Sequence, residues 1–244
     1  MFTSTFGSVL LASSLACLVT TIGIYIIAKH EKWGNQNIVY FISFAAGVLI
    51  SVSFIHIIPK SFGMNNTAPV FLLIGYMGLY LSNRFVTAFV CNEHHCPDVS
   101  IGIIPMLGIG LHSFIDGIIY SITFNVSIFT GVLAAIGMVL HEFPEGIVTF
   151  LLLKRAGFSQ KKAALLAFVA AAISTPLGTL VSFPFIQKIN QTTLGDLLAV
   201  SAGALVYVSA THLLPAVEKE NRKYTLLSLG AGILIAVLIV ISKG

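Results

Sequence analysis

Apolar residues run through this chain in long blocks broken by short polar links. A segment needs about 20 mainly apolar residues to cross the hydrocarbon core of a bilayer as a helix. Eight stretches qualify: roughly 7–28, 38–59, 69–90, 101–124, 128–153, 163–186, 195–215 and 225–242. In lipid only a helix or a closed barrel satisfies its own backbone, and blocks of this length mean helices. The expected fold is an all-α membrane protein of eight transmembrane helices. The links leave no room for a soluble domain, so residues 1–244 read as a single transmembrane domain. The first block has no basic segment before it and is longer than the apolar region of a signal peptide, so it reads as a retained span.

Composition agrees with the pattern. The chain is 57% hydrophobic and only 9% charged, with mean hydropathy +0.97, whereas soluble domains carry about 25% charged residues. The lipid bilayer is its natural solvent. A net charge of +4 does not point to nucleic acid, because the basic residues sit in short loops beside apolar spans. Lys29, Lys32, Lys154, Arg155, Lys161, Lys162, Lys219, Arg222 and Lys223 all fall on one side of the eight-span arrangement. Arg84 can reach that side by snorkelling. Lys60, Lys188 and Lys243 are left for the other. The positive-inside rule therefore places both termini outside. The Asn-x-Ser/Thr sequons at Asn65, Asn125 and Asn190 fall in outside loops. Cys17, Cys91 and Cys96 do not make a secreted disulfide framework.

Two internal repeats are visible. Ala46, Gly47, Leu49, Val52, Ser53, His56 and Pro59 of the second span recur, at the same spacing, as Ala202, Gly203, Leu205, Val208, Ser209, His212 and Pro215 of the seventh. The fourth span holds His112-Ser-Phe-Ile-Asp116-Gly117 and the fifth His141-Glu142-Phe-Pro-Glu145-Gly146. In each pair the copies are an odd number of spans apart, so they cross the membrane in opposite directions. Inverted repeats of this kind mark alternating-access carriers, whose site lies near the midplane between the repeats.

Of nine acidic residues, Asp116, Glu142 and Glu145 lie within spans. An ionisable group there costs at least about 2.5 kcal/mol on lenient scales, and three neighbouring carboxylates repel one another. No lysine or arginine lies near them in the sequence, so a divalent cation or protons must compensate. His112 and Asp116, like His141 and Glu145, are four apart and share a helix face; Glu142 stands about 100° round the turn. Imidazole with carboxylate suits zinc, iron(II) or manganese better than calcium or magnesium. A proton relay would use the same groups without metal. Pro144 frees the carbonyl of Leu140 and should loosen its helix. His56 and His212 either line an ion path or sit at the membrane faces. Ser53 and Ser209 can bond to their own helices. The inside loop bearing Cys91, His94, His95 and Cys96 either collects metal or is a solvated loop.

The pair His-x-x-x-Asp-Gly and His-Glu-x-Pro-Glu-Gly on consecutive spans, within eight helices and with both termini outside, resembles the ZIP (Zrt/Irt-like) metal transporters over the whole chain. Phe44-Ala-Ala-Gly47 adds to the likeness. The resemblance implies uptake of zinc, or of iron or manganese, into the cytoplasm. The transported ion would be bound at His112, Asp116, His141, Glu142 and Glu145, with no prosthetic group. Glu145 would be the bridging residue wherever two metals are held. Two departures matter. Ser113 stands where many members have Asn, and Thr175, before Pro176, stands where some have Glu. Both changes remove a donor from a second metal, so one well-formed site is expected.

No phosphate-binding loop accompanies these motifs, so a carrier would work without ATP. Metal would enter past His56 and leave past His212 and the His94–His95 loop. An intramembrane zinc metalloprotease would want His-Glu-x-x-His; here the last position is Glu145, and the chain reads as a non-enzyme. A metal-gated receptor could use the same site, but has no need of two-sided access. Location is expected in the cell membrane. Small residues such as Gly108, Gly110, Gly230 and Gly232 could support helix contacts, those of a homodimer included.

Overall fold

The computed structural model describes residues 2–85, 96–126, 128–219 and 223–242; the side chains of some helical positions, His141 and Cys96 among them, lie outside that description. Cys91, His94 and His95 also fall outside it. The described residues are helical apart from short turns and links, and contain no strand. Helix α1 runs Phe2–Lys29. Helix α2 (Glu31–Val52) passes through a π turn, Ser53–Ile57, into α3 (Ile58–Met64). Then come α4 (Ala68–Phe85), α5 (Cys96–Val126) and α6 (Ile128–Arg155). Helix α7 (Gln160–Ala167) continues through a π turn at Phe168–Ile173 into α8 (Ser174–Ser182) and a closing 3₁₀ segment, Phe183–Lys188. Helix α9 (Gln191–Val208) runs through a third π turn, Ser209–Leu213, into α10 (Leu214–Glu218). Helix α11 is Thr225–Ser242.

Among the described residues five stretches are long and apolar enough to cross a membrane: Thr5–Lys29, Gln36–Met64, Ile101–Asn125, Gln160–Ile186 and Gln191–Leu213. The polarity is that of a membrane protein turned outward. Leu11, Leu15, Leu18, Ile22 and Tyr25 make an exposed apolar stripe along α1 at spacings of three and four. Among the buried residues, by contrast, are His112, Asp116, Glu142 and Glu145. A soluble protein rarely leaves so long an apolar face uncovered.

The helix breaks have a local cause. Pro59 and Pro215 carry no N–H, and the ladder shifts register just ahead of each. The N–H of Ile58 bonds to the carbonyl of Ser53, five residues back, and Leu214 does the same to Ser209. Each serine turns its hydroxyl onto its own helix, Ser53 to Leu49 O and Ser209 to Leu205 O, both at 2.7 Å. The matched sequences thus produce matched turns. Pro144 does not break its helix as the sequence suggests: α6 is continuous from Ile128 to Arg155. A proline deletes one ladder bond, and a helix packed on both sides carries that loss without a change of register. Helix α6 stops instead at Gly157, at φ +84. Its N–H bonds to Lys154 O while Phe158 bonds to Leu153 O, the pairing of a left-handed helix cap.

Packing places α2 on α11 and α4 on α9, while α5 lies against α6 and α8, and α6 against α1. The contacts are backbone-close because glycine faces backbone. A Cβ at Gly203 would collide with the carbonyl of Leu72, and one at Gly47 with that of Leu229; Gly75 meets Val200 O, and Gly232 meets Phe44 O. Gly108 and Gly110 likewise face Val208 and Ala170 of the same chain. Of the four small residues suggested for helix contacts, Gly230 alone has nothing within 4 Å. All three sequon asparagines are engaged: Asn65 donates to Asp196 at 2.6 Å, Asn125 to Ser121 O, and Asn190 caps α9 by accepting from the N–H of Thr193.

These contacts make a stability test. Gly203→Ala should cost about 1–3 kcal/mol through overpacking and lower the thermal unfolding midpoint in detergent. Gly230→Ala should leave the midpoint unchanged or slightly raised, since alanine favours the helix. Equal midpoints for the two variants would mean that the close approach of α4 and α9 does not limit stability.

Candidate metal centre

The site begins with helical spacing. Helix α5 carries His112 and Asp116 one turn apart, and Nε2 of His112 stands 3.5 Å from Oδ2 of Asp116. Helix α6, packed on α5, brings Glu145 to the same imidazole, with Oε1 3.8 Å from Nε2. Both gaps are close to the roughly 3.3 Å between two ligands of a tetrahedral zinc ion. Glu142 is one turn back on α6 and fully buried. His141 adjoins it in sequence, with its side chain outside the description. Among the described side chains, no three His, Cys, Asp or Glu already form a cage for a metal ion. They stand as a gathered set around His112, not as a finished coordination shell.

Helix α8 supplies the third wall. Gly117 and Gly178 let α5 and α8 meet backbone to backbone, at Thr175 O and Phe114 O. Thr179 donates to Gly117 O at 3.1 Å, and Ser182 donates to Ser121 at 2.9 Å. That seam aims Thr175 at the site, where its hydroxyl donates to Oε1 of Glu142 at 3.3 Å. Ser113 turns away, donating to Ile109 O of its own helix at 3.0 Å. His56 and His212 lie in the π turns, each half-buried. The Nδ1 of His212 is 2.8 Å from the hydroxyl of Thr211, and its ring lies 5.5 Å from that of Tyr207.

The electrostatics are unbalanced. Oε2 of Glu142 and both carboxylate oxygens of Glu145 are buried with no hydrogen-bond partner among the described residues. Lys154 is engaged elsewhere, holding Glu31 at 2.9 Å. An ionised carboxylate kept from water without a donor is costly enough that it must be paired, protonated or placed on a metal. The donor set of imidazole nitrogen and carboxylate oxygen fits a first-row divalent ion.

One contact was not foreseen. Nδ1 of His112, the ring nitrogen turned from the carboxylates, lies 2.7 Å from Oγ of Ser201 on α9. Ser201 is fully buried. Its only mark in the sequence is its place beside Ala202-Gly203, where the second span has Ala45 beside Ala46-Gly47.

Known proteins resemble this chain along most of its length. Residues 91–240 match the family model described as ZIP Zinc transporter. The chain is 30% identical over 247 residues to "Zinc transporter ZupT" of Chlorobium phaeovibrioides, covering 90% of this chain and 91% of that protein. It is 31% identical to the protein of that name in Lysinibacillus sphaericus, over 89% and 91%, and 28% identical to that of Shigella dysenteriae, over 84% and 85%. The chain belongs to the ZIP zinc transporter family: it is a multi-pass integral membrane protein and a transporter, not an enzyme.

Proposed function

We propose that this protein carries divalent transition-metal ions, zinc foremost, across the cell membrane into the cytoplasm. The ion is held by His112, Asp116, His141, Glu142 and Glu145 between α5 and α6. The observation that carries the reading is the buried carboxylate of Glu145, without a hydrogen-bond donor among the described residues and 3.8 Å from the His112 imidazole. A cation in that position would give the Glu145 carboxylate the partner it lacks. The relatives are zinc transporters by name; a set of imidazole and carboxylate donors also admits iron(II) and manganese. Entry into the cytoplasm follows the family.

In the same reading the chain crosses the membrane eight times as one domain, with both termini outside and the two repeats inverted about the site. The matched π turns and matched glycine contacts support it. His56 then lies on the outer path and His212 on the inner one, with Cys91, His94, His95 and Cys96 receiving the ion inside. Ser113, bonded to its own helix, and Thr175, a hydroxyl where a carboxylate would serve a second ion, favour a single well-formed metal position.

Two measurements bear on this. Vesicles containing Glu145→Ala should take up zinc at least about 100-fold more slowly than wild type, since a direct ligand is worth no less than the outer-shell partners whose loss costs 10–100-fold; uptake at the wild-type rate would remove Glu145 from the site. Acid should also weaken uptake. Metal must displace protons from imidazole and carboxylate, so more protons compete as pH falls. The check is the zinc concentration for half-maximal uptake, which should rise steadily as the outer pH is lowered from neutral.

A further inference from the structure

We propose that Ser201 is the positioning residue of the metal centre: its hydroxyl holds Nδ1 of His112 and so presents Nε2 to the cation. The inference rests on the reading of His112 as a metal ligand. Ser201 Oγ and Nδ1 are 2.7 Å apart, both residues are buried, and Nε2 looks the other way, toward Asp116 and Glu145. An imidazole binds a cation through a bare nitrogen, so the other nitrogen must carry the proton and give it to an acceptor. Partners of this kind fix the orientation of ligating histidines.

A hydroxyl suits a carrier better than the carbonyl or carboxylate usual at resident metals. It both donates and accepts. With Nε2 on the ion, Ser201 accepts from the Nδ1 proton. With the site empty and the proton on Nε2, facing the carboxylates, the same hydroxyl donates to Nδ1. His112 is thus held in one orientation through both halves of a transport cycle. A carbonyl could support only the first state.

The repeat has no hydroxyl at the position that matches Ser201. In the alignment that pairs Ala46-Gly47 with Ala202-Gly203, Ser201 corresponds to Ala45; in the other repeat His112 corresponds to His141. The position that offers a hydroxyl to His112 offers only a methyl group in the matching copy. That hydroxyl comes from α9, which packs with α4 and meets α5 at Gly108, where Val208 and Ala204 lie opposite.

The test is zinc titration calorimetry on the full chain in lipid nanodiscs, with Ser201→Ala, Ser201→Val, Ser201→Thr and His112→Ala. Threonine keeps the hydroxyl, and valine has the same shape without it. Ala and Val should weaken zinc binding by about 10–100-fold, whereas Thr should bind close to wild type. In ¹⁵N-labelled, zinc-loaded protein, wild type and Ser201→Thr should show a hydrogen-bonded Nδ1–H at His112 that Ser201→Val lacks. Equal losses in Val and Thr would make the effect one of packing and overturn the proposal. Full affinity in Ala and Val, with loss in His112→Ala, would overturn it while leaving the site in place. Full affinity in His112→Ala would remove His112 from the site, and the proposal with it.

Discussion

Three carboxylates and an imidazole are buried together between α5 and α6, and the rest of the molecule is arranged around the cost of keeping them there. Among the described residues Glu145 has no donor, and Glu142 has a single hydroxyl on one oxygen. An isolated carboxylate in such surroundings would take up a proton. Carboxylates held together with an imidazole carry an electrostatic deficit of the kind a divalent ion would remove. The deficit must be held rigidly, or the groups would turn toward water or toward their own backbones, as Ser113 does.

Rigidity comes from glycine, not from apolar bulk. Lipid tails are as apolar as leucine, so helix association in a membrane depends on close packing and hydrogen bonds. Gly117 and Gly178 bring α5 and α8 to backbone contact, and Gly23 and Gly146 bring α1 close to α6. Each pair lies within a turn or so of a site residue. The same contact that joins two helices therefore fixes where Glu142 and Asp116 can reach.

Much of this was legible in the sequence, because lipid makes charge conspicuous. An acidic residue inside an apolar block stands out, and spacings of four placed His112 with Asp116 on one face. What was not legible depended on partners far away in the chain. Ser201 looks like any small residue in an apolar helix until α9 is set against α5. Pro144 reads as a break, yet the helix runs through it, while Pro59 and Pro215 each follow a π turn. Proline reports a missing hydrogen bond; neighbouring helices decide whether the ladder absorbs it or shifts register. The eight apolar blocks mark where helices lie, but the number crossing a bilayer depends on lengths and tilts that a one-dimensional pattern does not carry.

The two halves share a frame and differ in chemistry. Thr20 and Thr175 each lie three residues before a glycine that packs on the metal helices, Gly23 and Gly178, and both are buried. Thr175 finds Glu142, whereas the hydroxyl of Thr20 has no partner among the described residues; at the position matching Glu142 in the other copy stands Ser113, bonded to its own helix. Ser201 is matched by Ala45 in the same way. A fully symmetric site would bind an ion equally from both sides but would also place two matched sets of charge in one small volume. Ser113 in place of Glu142 leaves one carboxylate fewer in that copy, and Ala45 in place of Ser201 one hydroxyl fewer, while the spacing of the repeats is kept.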